Sequence, residues 1–457
     1  MKILFGHPSG NPNSHHAALA HFERGRLLAF CVAWLPTARE MAWLERLPGL
    51  HELTRRVRRR RFPPLDQARI IQNPAGEWQR MARRLLASRF GLSDVDEAMA
   101  YQANDWLMAT LARHCSQADA VHSFEDCALG GFQAARAQGK PCLYDMPIGY
   151  YPAWEVISRQ LHADYAEWIP SGGIVQNRFV RPDQKRQEME LADLVLTASS
   201  FAKQTILQHA DKKVIVVPYG VDTNQWLPKT THATLKRPLR FIYAGHISIR
   251  KGIPLLLNAW KKAALPDAEL VLAGSWAVAD RWKKELPHGV RFLGHLAADG
   301  LRAAFQDSDV FVFPSFFEGY GLVVTEAMAC GLPALCSDAT CGPDILDDTC
   351  GRVFPSGDLD GLVEHLIWFS RHREKIPEMS RMARQQAELN SWETYRRNLQ
   401  KAVDSLLNKS DLTDSEVLTD TRESKGSKVS TDSKVSTDSR VSTDSRVSTD
   451  SRVNGQS

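Results

Sequence analysis

The sequence predicts an α/β protein of two doubly wound, Rossmann-like domains facing a cleft, with a disordered repetitive C-terminal tail. Three observations carry this fold class. Short apolar runs alternate with helix-like segments in the first half, the alternation returns in the second half with glycines closing three runs, and a six-residue repeat takes over near the C-terminus. At 457 residues, 43% hydrophobic and 24% charged, the chain has enough apolar side chains for two large cores.

In the first half MKILFG, AVHSFE, PCLYDMP, DLVLTAS and KVIVVPYG are strand candidates, and CALGGFQAARAQG (127–139) and SFAKQTILQHA (200–210) are helical. This predicts an N-terminal domain over 1–218. The stretch 219–238, rich in turn formers, reads as a domain connection. The second half supplies RFIYAG, ELVLAG, VRFLG, DVFVFPS and PALCSD, three of them ending at Gly245, Gly274 and Gly294, with IPLLLNAWKKA and GLRAAFQ as helices between. This predicts a second domain over 219–390. In doubly wound sheets ligands bind beyond the carboxyl ends of the strands, so chemistry is expected in the interdomain cleft.

SWETYRRNLQKAVDSLLNK keeps helical spacing, and over 391–409 it is expected to cross back to the first domain as a hinge element. From Ser427 the units SKVSTD and SRVSTD recur, and one valine in six residues builds no core, so 410–457 reads as disordered. Such a tail is a spacer or a Ser/Thr-rich docking segment.

The totals exclude several classes. A formal charge of +4 gives no reason to expect nucleic acid as a partner. LLAFCVAWL (27–35) is too short to span a bilayer, and MKILFGHPSG lacks the apolar core of a signal peptide, so the expected location is cytoplasmic. Eight cysteines without a CxxC pair read as buried thiols rather than a metal site built from Cys330, Cys336, Cys341 and Cys350. The tripeptides DVD (94–96), DSD (307–309) and DLD (358–360) read as structural, and no metal is expected.

The stretch FEGYGLVVTEAMACGLP (317–333) is the richest in chemistry. Gly319 and Gly321 offer positive φ in a turn between a strand and a helix that Gly331 stops, with Pro333 two residues on. The amides of Gly321, Leu322 and Val323 in the helix's first turn form an anion site, most naturally for a diphosphate. Glu318 lies before that site and Glu326 about one helical turn inside, so the two flank the phosphates and suit sugar hydroxyls on either side. In isolation such a pair is an ordinary solvated one, and GYGLVV lacks the third glycine of a dinucleotide fingerprint, which argues against an oxidoreductase. A second element decides: in AGHISIRKGIPLLLNAW (244–260), Arg250 and Lys251 sit at the mouth of a helix, where they would offset the charge of a leaving diphosphate.

From about residue 190 to 400 the chain resembles the retaining glycosyltransferases of the group 1 family (glycosyltransferase family 4, GT-B fold). The residues carrying the resemblance are RKG (250–252), the Glu318 and Glu326 pair, VVPYGVD (216–222) and ELADLVLTAS (190–199). The resemblance implies a nucleotide-sugar donor held mainly by the second domain and an acceptor approached mainly by the first. It implies transfer with retention by a front-face route that needs neither a protein nucleophile nor a cofactor. By similarity Arg250 and Lys251 would meet the diphosphate, Glu318 the donor sugar hydroxyls and Glu326 the ribose diol. The family places a histidine near the donor sugar where His122 stands, and a glycine-rich loop where Gly10, Asn13 and Ser14 stand, although the family's glycine pair is missing here. Two further departures are His246, where relatives have arginine, and Asp344, where glutamate is common.

The expected function is transfer of a sugar to a hydroxyl on a glycan or lipid-linked acceptor, in surface polysaccharide or glycolipid assembly. The competing expectation is a non-catalytic GT-B protein that binds sugar nucleotide or glycan. RRVRRRR, Arg55 to Arg61, offers six arginines in seven positions for an anionic membrane at its inner face or for an acidic acceptor. A solvated basic helix is the plainer alternative.

Overall fold

The computed structural model describes residues 1–46, 51–90, 95–171, 181–228 and 237–407. The hexapeptide repeats, with everything after residue 407, and the first aspartate of DVD lie outside the described residues. Among these, thirteen strands form two parallel sheets.

The first sheet holds β1 (Ile3–Gly6), β2 (Leu27–Val32), β3 (Ile70–Gln72), β4 (Ala120–Phe124), β5 (Cys142–Met146), β6 (Leu194–Thr197) and β7 (Val214–Val216), in the order β3-β2-β1-β4-β5-β6-β7. Its central strands β1, β4, β5 and β6 are buried along their whole length. Helices cover both faces of such a sheet, which is why β1 and β6 read as nearly unbroken apolar runs, while β4 and β5 bury His122, Ser123 and Asp145 among their apolar residues. The run at 27–35 contains β2, and β3 is a three-residue, half-buried edge strand.

The second sheet holds β8 (Leu239–Ala244), β9 (Ala268–Ala273), β10 (Val290–Gly294), β11 (Val310–Phe313), β12 (Ala334–Ser337) and β13 (Gly351–Phe354), in the order β10-β9-β8-β11-β12-β13. Strand order reverses between β1 and β4 in one sheet and between β8 and β11 in the other. Each reversal opens a crevice at the strand carboxyl ends, and the turn 314–321 leaves β11 at one of them.

The chain passes twice between the sheets. Gly220, in the first connection, packs so tightly on the second that a Cβ there would lie 2.3 Å from the Trp392 nitrogen. The helix Trp392–Leu407 then lies on the helix Pro12–Glu23, through Arg396 to Glu23 at 3.0 Å, Gln400 to the Ala20 carbonyl at 3.0 Å and a stack of Trp392 on His16.

Other expected features find their places. All eight cysteines are buried and unpaired. Asp309 of DSD accepts from Arg237 and from the Arg240 amide, and Asp307 pairs with Arg240, beneath the sheet and away from the crevice. Asp358 caps the helix Leu359–Arg371 by accepting from the Gly361 amide, and Asp360 pairs with Lys262. The basic run ends the helix His51–Arg58, whose Val57 packs with Trp34, Met41 and Leu44. Arg58, Arg60 and Arg61 are ion-paired to Glu45, Glu77 and Asp66, so part of this charge is neutralised within the domain. No helix among the described residues is long and apolar enough to cross a membrane.

Candidate active site

The turn after β11 and the loop after β8 meet at one carboxylate. Glu318 is 7% exposed and touches the Lys251 ammonium, receives the Ser315 hydroxyl at 2.8 Å and lies 3.5 Å from the Arg250 guanidinium. Arg250 also donates to the Phe317 carbonyl at 2.7 Å, tying the two loops together. Burial pulls the Lys251 pKa down, against the pull of Glu318 upward, so its charge depends on that partner. Both loops start from strands buried in the sheet, which anchors the cluster at one end.

Gly252 precedes the helix Ile253–Ala263 at φ 75°, and Gly321 precedes the helix Leu322–Ala329 at φ 93°. Both are conformations that side chains resist. Gly319 is different: its φ is ordinary, and it is required because a Cβ there would lie 1.8 Å from the Pro147 carbonyl of the first domain. The glycine therefore serves interdomain approach and not turn shape. The amides of Gly321, Leu322 and Val323 find no acceptor among the described residues, and these residues are half-exposed, so the positive helix end opens outward beside Arg250.

Glu326 sits on the same helix with its carboxyl pushed up to about 7 by burial, and it has no hydrogen-bond or ion-pair partner among the described residues. A carboxylate left in this state is ready for hydroxyl donors of a ligand. In the folded state the proton is favoured, so the stability this contributes is present below the usual carboxyl range and lost as pH rises through about 7.

The first domain meets the turn directly. Ser199, following β6, donates to the Gly319 carbonyl at 2.6 Å, the Ser200 amide donates to Asp344 at 3.0 Å, and the Phe317 ring fills the space over Gly149. Ser199 also caps its own helix by accepting from Ala202. Ser315 and Ser199 escaped the sequence reading because a lone serine carries no spacing signal, although Ser199 ends the quoted ELADLVLTAS.

The remaining expected residues fall elsewhere. His122 is wholly buried in β4, against Phe5 and Phe124, with Nδ1 2.9 Å from His21 and Nε2 3.8 Å from Asp145. Burial lowers it to about 3 and raises Asp145 to about 8, so both are uncharged at neutral pH. The ring is enclosed within the domain. Ser14 is likewise fully buried, its hydroxyl engaged with Ser9, Asn11 and the helix cap. Gly10 lies over His15, where a Cβ would meet the ring at 2.7 Å. Asn13 lies beside the Tyr219 hydroxyl, and its Oδ1 is buried without a partner.

Comparison with known proteins bears on the family and the fold. Residues 228–388 match the family model described as Glycosyl transferases group 1. The chain is 28% identical over 204 residues to the O-antigen chain mannosyltransferase B of Escherichia coli, covering 40% of this chain and 52% of that protein. The chain thus spans about half the length of that curated relative. A sucrose-phosphate synthase from Thermosynechococcus elongatus shares the fold with a TM-score of 0.60 at 17% identity, over 90% of this chain and 100% of that one. The Anabaena protein HepE, solved in complex with UDP-glucose, shares it with a TM-score of 0.54 at 16% identity, over 89% and 100%.

Proposed function

We propose that this chain, whose residues 228–388 match the family model described as Glycosyl transferases group 1, moves a sugar from a nucleotide-diphosphate sugar to a hydroxyl acceptor, with retention and without a metal. The observation that carries the reading is the convergence of Arg250, Lys251 and Glu318 beside the unpartnered amides of Gly321, Leu322 and Val323. A diphosphate on those amides meets Arg250, the more exposed cation, while Lys251 adds charge from beneath. As the glycosidic bond to phosphate lengthens, negative charge grows on the leaving oxygen, where the two cations and the helix end already stand. Glu318, fixed by Lys251 and Ser315, accepts hydroxyls of the donor sugar, and Glu326 accepts the ribose diol. The acceptor enters from the first domain, and its proton passes to the leaving phosphate. Transfer from an α-linked donor is therefore expected to give an α-linked product in the presence of EDTA. NMR of the product anomeric proton checks this, and a β product refutes retention.

Glu326 makes the reading pH-sensitive. An ionised carboxylate binds hydroxyls more strongly than a neutral acid, so nucleotide affinity is expected to rise as pH climbs through about 7. Glu326→Gln is expected to bind roughly tenfold more weakly at alkaline pH and to lose the pH step. Thermal shifts with UDP and GDP from pH 6 to 8.5 measure both.

We place the acceptor in surface polysaccharide or glycolipid assembly, with the first domain against the inner face of an anionic membrane. Trp43 is 59% exposed on the helix Ala38–Glu45, which packs on the basic helix His51–Arg58, and a tryptophan beside arginines suits a headgroup layer. Co-sedimentation with anionic vesicles at low salt is expected, with Trp43→Ser/Arg59→Ser largely abolishing it. Equal sedimentation of both proteins removes the membrane from the account.

The non-catalytic alternative keeps the same pocket but predicts nucleotide binding without turnover.

A further inference from the structure

An open space lies between the domains, beside the turn that carries Glu318. It is a groove of about 590 Å³, bounded by the helices Tyr151–Asp164 and Ser200–Leu207 of the first domain and by the ends of β12 and β13 in the second. That volume falls in the range of small-molecule sites, about 300–1,000 Å³.

The chemistry of its walls narrows the ligand. Gln160, Gln204, Asp164 and Asp338 supply amides and carboxylates, while Phe201 and Phe316 supply aromatic surface. No lysine, arginine or histidine is among its described lining residues. Two carboxylates without a cation repel phosphates, sulfates and acidic lipid headgroups. They accept hydrogen bonds from neutral hydroxyls, as amides also do, and aromatic faces pack on the CH surfaces of a sugar ring.

Three of these four polar side chains are hydrogen-bonded within the protein. Gln160 donates to Asp164 at 2.8 Å, and the Ser356 amide donates to Asp338 at 2.8 Å. Such fixed side chains lose little freedom when a ligand arrives. The groove also adjoins the proposed reaction centre: Phe201 packs against Phe317 at 5.5 Å, and Phe316 and Phe317 lead directly into Glu318.

From the groove's composition and place, we propose that it binds a neutral glycan, the part of the acceptor chain lying beyond the residue that receives the new sugar. This rests on the transferase reading for the role but not for the binding. It makes the acceptor an uncharged oligosaccharide, contacted by both domains only when they are close together.

The test uses the full-length protein on an array of neutral, phosphorylated and sulfated oligosaccharides, with Gln160→Ala/Gln204→Ala beside the wild type. Both amides are exposed, so their truncation does not threaten folding. The expected result is capture on neutral glycans, weakened about tenfold in the variant, with the thermal shift by UDP or GDP equal in both proteins. Capture on no neutral glycan, capture confined to anionic ones, or equal capture by the variant overturns the proposal. A nucleotide shift without glycan capture sinks the groove alone and leaves the transferase reading standing. Glycan capture without any nucleotide shift supports the groove and counts against the transferase reading.

Discussion

Lys251→Ala is expected to lower turnover by a factor on the order of 100 or more while leaving the fold intact. The lysine is nearly buried, touches Glu318 and lies 5.3 Å from the centre of the Phe313 ring, so its charge stands in a poorly solvated place where electrostatic effects are large. On the proposed mechanism its loss removes charge that is needed most when the diphosphate departs, and it also frees Glu318. That carboxylate keeps Ser315 at 2.8 Å and Arg250 at 3.5 Å, which is why unfolding is not the expected outcome. Lys251→Arg restores charge but not shape in a site that already holds one guanidinium, so partial recovery is expected. Steady-state kinetics with a thermal melt on each variant separates these effects. Wild-type turnover in Lys251→Ala would remove the lysine from the mechanism.

Gly319→Ala is expected to be nearly as damaging, for a different reason. The added methyl would lie 1.8 Å from the Pro147 carbonyl and 2.7 Å from the Ile148 Cα, both backbone atoms of the first domain. No rotamer relieves such an overlap, so the domains must separate or the turn must shift. Either movement breaks the Ser199 hydrogen bond to the Gly319 carbonyl and displaces Glu318, one residue away. A displacement of about 1 Å at a reacting centre costs on the order of 100-fold in rate. On the proposed reading nucleotide binding uses second-domain groups and is expected to survive, which distinguishes lost closure from a lost site. Normal turnover in Gly319→Ala would mean that the closed contact with Pro147 is not the working state.

The sequence made most of this architecture legible because buried parallel strands betray themselves as apolar runs, as β1, β8, β11 and β12 do. The edges were harder. Ile70–Gln72 and Gly351–Phe354 are short and half-buried, with glycine, glutamine or arginine among their residues, and neither pattern departs from that of a loop. At the site, the glycine and charge spacing around 250 and 318 pointed to residues that the fold brings together. His122 and Ser14 show what spacing leaves out: each stands near a strand end or helix start, yet its side chain is spent inside the domain on His21 or on a helix cap. Only the direction of a side chain, fixed by packing, separates an enclosed residue from one that meets ligand. Contacts across domains, such as Ser199 to Gly319 and Ser200 to Asp344, join residues 120 and 144 positions apart and leave no local trace.

The proposed activity requires donor turnover at the Arg250, Lys251 and Glu318 cluster. It is tested most directly by incubating the full-length protein with UDP, GDP, ADP and dTDP sugars, with and without EDTA, while following thermal stability and nucleotide release. The expected result is that one donor stabilises the protein and is slowly hydrolysed without regard to EDTA, and that hydrolysis falls about 100-fold in Lys251→Ala. Stabilisation by a donor with no release of nucleotide, even when neutral glycans captured by the protein are supplied as acceptors, would contradict it and leave a binding protein in its place.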